Sequence, residues 1–244
     1  MAELIFISVL GFAMGIINAI SGGGGVFAIP ILMAFGIPTI DVLALNKASD
    51  FGTITGALRN YYKSDTIDWK LALYAILPLG IGSALGSYII IGLPEHIRQY
   101  LIIAGVISGI YFLLRPPGEK TKPRKSLFIF GLIALVIAGM WGGGLGVAGG
   151  TFSILVLVYF FQKTYLQAMS SFIIAGFPSN LISVVILSLA SQASIASLLT
   201  IYISSFIGAW CGSHLAIQKG SAFIRIAMVF IAVMMLVKVI IDLF

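Results

Sequence analysis

An uncharged stretch from Leu4 to Phe35, interrupted by Ser21-Gly22-Gly23-Gly24-Gly25, constrains this chain more than any other feature. As one helix it would be about 50 Å long at 1.5 Å per residue, well beyond the roughly 30 Å apolar slab of a bilayer. It must break, and the glycine run is the place. A second uncharged stretch, from Ser126 to Phe161, has its own break at Trp141-Gly142-Gly143-Gly144 through Gly150. The other apolar runs extend over Val42 to Tyr62, Trp69 to Ile91, Ile97 to Leu114, Tyr165 to Leu189, Ile195 to Ile217 and Phe223 to Phe244. Only 9% of the 244 residues are charged, whereas soluble domains run near a quarter. At about 20 residues per crossing the expectation is an all-α polytopic membrane protein of about eight transmembrane helices, with no soluble catalytic domain beside them.

Polar, Pro-rich residues from Arg115 to Lys125 divide the chain near its middle and read as a surface linker. The halves on either side look duplicated. Gly24-Gly25-Val-Phe27 matches Gly149-Gly150-Thr-Phe152, and Gly82-Ser-Ala-Leu-Gly86-Ser87 matches Gly208-Ala-Trp-Cys-Gly212-Ser213. The expected organisation is a first repeat over 1–115, a cytoplasmic linker over 116–125 and a second repeat over 126–244, the first helix of each repeat broken at its Gly-rich turn. Counting each broken segment as one crossing makes the repeats parallel; counting it as a crossing plus a re-entrant half-helix makes room for inverted ones, and both stay open here. The basic clusters of Arg59 to Lys70 and Arg115 to Lys125 fall on one side, which the positive-inside rule assigns to the cytoplasm.

The same rule, with anionic lipid, explains the net charge of +6, and no basic-aromatic stripe supports nucleic acid as a partner. The lone Cys211 excludes an intrachain disulfide and any Cys-based metal cluster. The N-terminal Met1-Ala2-Glu3-Leu4 lacks the basic region of a cleaved signal, so the first apolar run is expected to stay in the mature protein. Gly144-Leu-Gly146-Val-Ala-Gly149 spells a dinucleotide fingerprint, but no acid occurs between Glu119 and Asp242 to serve a ribose. Without a nucleophile, base or metal constellation, no enzyme activity is expected and no cofactor is called for.

Paired Gly-interrupted segments are the best sequence pointer to a transporter binding site. Each break precedes an apolar half-helix whose first N–H groups lack partners, a setting that favours an anion. This places candidate binding residues at Ser21, Gly22, Gly23, Gly24, Gly25, Gly146, Gly149 and Gly150. Gly82, Gly86, Gly208 and Gly212 suit close helix packing instead. Asn46 and Lys47, with Asp50 three residues beyond, put charge inside an apolar span, which is costly and points to function. Lys47 and Asp50 share a helix face and can pair, and Asp50 is the candidate for proton coupling, sodium being the alternative coupling ion. In the second half Ser170, Ser171, Ser179 and Asn180 are expected to complete a polar site facing Asn46 and Lys47.

These motifs resemble the TauE/SafE family of sulfite-exporter-like permeases over essentially the whole chain. The resemblance lies in the Gly-rich turn closed by Pro30, in Ala44-Leu-Asn46-Lys47 followed by Gly52-Thr53, and in Gly142 to Gly150 with a later Ser179-Asn180. It implies a secondary transporter of small organosulfur or inorganic anions such as sulfite, sulfonates, sulfoacetate or thiosulfate, in a bacterial or archaeal cytoplasmic membrane. Relatives often carry a second lysine where this chain has Ser171, which points to a monoanionic substrate or a reduced site, and Leu155 stands where the first half has Pro30. An anion channel, or a carrier for another small carboxylate, is the alternative. Small carriers are often homodimers, a partnership the sequence leaves open.

Overall fold

A computed structural model describes residues 2–114 and 127–243, and every regular element among them is helical. In chain order these are α1 (Ala2–Ser21), α2 (Gly24–Ala34), α3 (Thr39–Lys63), α4 (Trp69–Gly92), α5 (Glu95–Leu114), α6 (Phe128–Gly144), α7 (Gly149–Phe161), α8 (Tyr165–Ala190) and α9 (Ile195–Leu243). The last changes direction at Gly220, whose φ of 74° and ψ of −170° are not helical. The linker expected over 116–125 lies outside the described residues.

Both glycine breaks are real, and both are hairpins. α1 ends at Ser21 and α2 begins at Gly24, with Gly22 at φ +68° between them; α6 ends at Gly144 and α7 begins at Gly149, with Gly146 at φ +72°. A positive φ is accessible to glycine without the Cβ penalty of other residues, so the chain can reverse within two to four residues. Contacts at the far ends show that it does. Phe6, near the start of α1, packs its ring 4.3 Å from that of Phe35, just past α2; Phe128 and Phe161 pack at 5.5 Å across the open end of the α6–α7 pair. At 11 and 13 residues, α2 and α7 reach only about 17 and 20 Å, so each returns part-way and neither crosses a bilayer.

This settles the choice that the sequence leaves open. α1 starts at one face of the bundle and α2 returns to it, α3 crosses, α4 crosses back and α5 crosses again. α6 therefore begins at the opposite face, as the contact between Phe128 and Tyr74 near the start of α4 requires. The second half, α6 to α9, is upside-down relative to the first.

The halves also exchange partners. α1 lies along α9, where the positions of Gly208 and Gly212 abut the carbonyl oxygens of Phe12 and Ile16. α4 lies along α6 in the same way, Gly82 and Gly86 abutting those of Val136 and Met140. The sequence assigned these four glycines to close packing, and that is where they stand. α3 and α8 cross in the centre between these pairs, with the rings of Phe51 and Phe177 in tilted contact 5.4 Å apart. α3 is buried continuously from Asp41 to Ser49. It tolerates a lower apolar content than its neighbours because protein surrounds it, whereas Leu4–Ser21, Trp69–Gly92, Tyr165–Ala190 and Ile195–Ile224 are long and apolar enough to span a membrane by length and composition.

Candidate functional site

α3 carries Lys47, Asp50 and Thr53 at three-residue spacing, which sets them along one helical face lining a cavity at the centre of the bundle. The cavity has space for water centres of about 40 Å³, enough for a few waters or a small anion. Gly22 from the first hairpin turn lines it, as do Gly149 and Gly150 from the second and Ser179 and Asn180 from α8. The two turns touch. Thr151 N–H donates to the Gly22 carbonyl at 3.1 Å and Thr151 Oγ1 to the Ser21 carbonyl at 3.2 Å.

Lys47 Nζ lies 2.5 Å from Asp50 Oδ2, with Lys47 buried and Asp50 largely so. Asn46 Nδ2 donates to the same oxygen at 3.2 Å, and Asn18 Nδ2 donates to Asp50 Oδ1 at 2.9 Å. The carboxylate is thus held by three donors, as a buried charge requires. Asn18 also reaches the first turn, its Oδ1 accepting from Gly24 N–H at 2.6 Å. One side chain therefore ties the end of α1, the start of α2 and the charged pair of α3 together.

The remaining expected residues divide into two groups. Ser21, Gly23, Gly24, Gly25, Gly146 and Asn46 do not line the cavity; Ser21, Gly25 and Gly146 lie where the two turns meet, and the Asn46 amide fills the space that a Cβ at Gly25 or Gly146 would need. Ser170 and Ser171 do not meet Lys47. Ser170 Oγ has the carbonyls of Thr66, Leu166 and Gln167 as acceptors within reach, and Ser171 Oγ accepts from Asp68 N–H at 3.1 Å, which sets both serines against the loop between α3 and α4.

The correction comes from repeat register. α3 and α8 begin 126 residues apart, at Thr39 and Tyr165, and the same shift converts the Gly56–Phe206 contact into that of Ile182 with Gly80. The counterpart of Lys47 is therefore Ile173, not Ser171. Both Phe172 and Ile173 line the cavity, so at the position equivalent to Lys47 the second half contributes an apolar side chain and no charge.

At the loop face, Asp68 pairs with Lys163 at 2.5 Å and caps α4 through Leu71 N–H at 3.0 Å. Partial burial alone would raise its carboxyl, but the Lys163 ammonium and the Leu71 and Lys70 N–H groups outweigh it and hold the pKa below the usual carboxylate range. Asn18, Thr53, Ser83 and Ser153 are polar lining residues that sequence reasoning missed, and for Asn18 and Thr53 a signal was present. The available signal was one amide four residues before the first glycine of the run and one hydroxyl six residues after Lys47, on the face that Lys47 and Asp50 define.

A helical bundle with two re-entrant glycine hairpins meeting at a buried polar cavity defines a membrane transport protein of inverted architecture. The sequence pattern described as "Sulfite exporter TauE/SafE" matches residues 7–239, and the chain belongs to that family. It is similar to the "Probable membrane transporter protein" of Haemophilus influenzae, 28% identical over 96% of this chain and 92% of the relative. It is also similar to the "Probable membrane transporter protein YfcA" of Escherichia coli K12, 29% identical over 98% and 89%. The "Probable membrane transporter protein ORF9" of a Sinorhizobium species is 26% identical over 98% and 93%. No solved structure matches the chain. The protein is thus an integral membrane transporter.

Proposed function

We propose that this transporter is a secondary carrier for a small organosulfur or inorganic anion, such as sulfite, a sulfonate, sulfoacetate or thiosulfate. The observation that carries this reading is the buried Lys47–Asp50 pair in a cavity lined by both glycine turns. A paired ammonium is neutral towards an incoming anion. A proton on Asp50 removes the carboxylate charge and frees Lys47 to balance the anion, so anion and proton would enter together. Gly22, Gly149, Gly150, Ser179 and Asn180 supply small or hydrogen-bonding groups to the bound substrate, and the absence of a second charge at Ile173 limits the charge it carries. The inverted halves support alternating access, in which one hairpin unit rocks against the other.

No part of this scheme needs a cofactor or catalytic group, and the protein acts as a permease and not an enzyme. Arg59, Lys63, Lys70, Lys163 and Lys219 gather at the face carrying the α3–α4 loop, which the positive-inside rule turns to the cytoplasm of a bacterial or archaeal cell. The test is uptake by proteoliposomes of labelled sulfite, sulfoacetate, taurine, thiosulfate and a control cation, with and without proton or sodium gradients. Saturable uptake of a sulfur anion driven by one gradient is expected. Intact protein that moves none of these anions overturns the substrate assignment.

A further inference from the structure

The two glycine turns differ in what they present to the cavity, since Gly149 and Gly150 line it and Gly24 and Gly25 do not. At the first, Asn18 Oδ1 already occupies the Gly24 N–H at the start of α2. Val136 and Met140 meet Gly82 and Gly86 as Phe12 and Ile16 meet Gly208 and Gly212; two residues further on, the counterpart of Asn18 is Gly142, which has no side chain to offer. α7 accordingly starts on backbone partners alone, Gly149 N–H donating to the Gly146 carbonyl at 3.4 Å and Thr151 N–H to the Gly22 carbonyl, which leaves Gly150 N–H as its open amide; Gly149 and Gly150 line the cavity.

A second, independent observation lies on α3. Thr53 lines the same cavity and is only 3% exposed, yet its Oγ1 is buried with no hydrogen-bond partner. Its counterpart by the 126-residue shift between Thr39 and Tyr165 is Ser179, whose hydroxyl donates to the Gly176 carbonyl at 3.0 Å. A buried hydroxyl left without a partner costs stability. Its retention at a cavity wall is explained by a ligand that accepts its hydrogen. While the Lys47–Asp50 pair is intact it contributes no net charge, so the positive end of α7 draws the anion first and Lys47 balances it only once Asp50 is protonated.

We propose that the cavity takes a small oxyanion at its α7 end alone, between the Gly150 N–H and the Thr53 hydroxyl, because the equivalent amide of α2, that of Gly25, belongs to a residue outside the cavity lining. This rests on the anion-transport reading and adds an asymmetry: the two halves share a fold but divide the labour, α7 and Thr53 binding and the Asn18–Asp50–Lys47 cluster balancing charge.

Trp141 is a built-in reporter, since its indole N–H donates to the Val147 carbonyl at 2.9 Å in the turn that opens α7. The experiment titrates sodium sulfite, with sodium chloride as the ionic control, into the full chain carrying Trp69→Phe and Trp210→Phe in lipid nanodiscs and follows Trp141 emission. A saturable change with sulfite is expected. Thr53→Val should weaken it at least about tenfold, the range for a hydrogen bond to a charged group, without lowering the melting temperature, because the hydroxyl it removes has no partner in the protein. Ser49→Ala removes another buried, unpartnered hydroxyl that does not line the cavity, and should leave the affinity within about twofold.

Wild-type affinity in Thr53→Val overturns the proposal, as does a lowered melting temperature, which would mark Thr53 as structural. If sulfite is transported but Trp141 does not respond, the placement is wrong and the transport reading survives. If no sulfur anion crosses in the proteoliposome assay, both fall together.

Discussion

Lys47 and Asp50 stabilise one another only as a pair. Lys47→Met strands a buried carboxylate and Asp50→Asn strands a buried ammonium, and breaking such a pair typically costs about 3–5 kcal/mol. The double variant Lys47→Met/Asp50→Asn leaves no charge behind. Thermal melts in lipid are expected to show both single variants destabilised and the double recovering most of the loss, while transport stays absent in all three. A double variant that transports would end the charge-balancing role. These two residues were legible in the sequence because charge inside an apolar run demands an explanation. Asn18 and Thr53 were not, because single amides and hydroxyls in membrane helices commonly bond their own backbone, and only packing shows that Asn18 reaches Gly24 and Asp50. Ser170 and Ser171 were legible as polar but misplaced. An alignment anchored on glycines carries a small register error, and on a helix two residues turn a side chain to a different face.

Helix pairs decide the next scale. A Cβ at Gly86 would sit 1.9 Å from the Met140 carbonyl oxygen, and one at Gly212 2.6 Å from that of Ile16. Both obstacles are backbone, so no side-chain rotation relieves them. Gly86→Ala is expected to separate α4 from α6 and sharply reduce folded yield. Gly92→Ala, where nothing lies within 4 Å of the new atom, should change the melting temperature little; equal damage from both would refute the packing argument. The Asp68–Lys163 pair tests a different kind of joint, since it ties the α3–α4 loop to the α7–α8 loop. Its folded carboxyl pKa is depressed, so its contribution is present above the unfolded value of about 4 and is lost as pH falls through the lower folded value. Asp68→Asn should cost at most about 1 kcal/mol at neutral pH, a difference that closes on acidification below about pH 4. A gap that widens with acid would show that the pair does not act this way. The glycine breaks were readable from length alone, but not the reversal of direction, which depends on φ at Gly22 and Gly146 and on aromatic contacts distant in sequence.

For the whole molecule, the hairpins fix an inverted topology in which α1 starts at one face and α5 ends at the other. With the basic α3–α4 face in the cytoplasm, the start of α1 and the end of α9 are both expected outside. Reporter fusions at residue 1, within 116–125 and after residue 244 should read outside, inside and outside; a cytoplasmic N-terminus would overturn the assignment. The function rests on alternating access through the central cavity, and transport counterflow addresses that directly. Proteoliposomes loaded with unlabelled substrate anion and diluted into a trace of labelled anion, with no ion gradient, should show transient accumulation of label above its equilibrium level, because a carrier exchanges one bound anion for another. Smooth filling to equilibrium without an overshoot would contradict the carrier and leave an anion channel in its place.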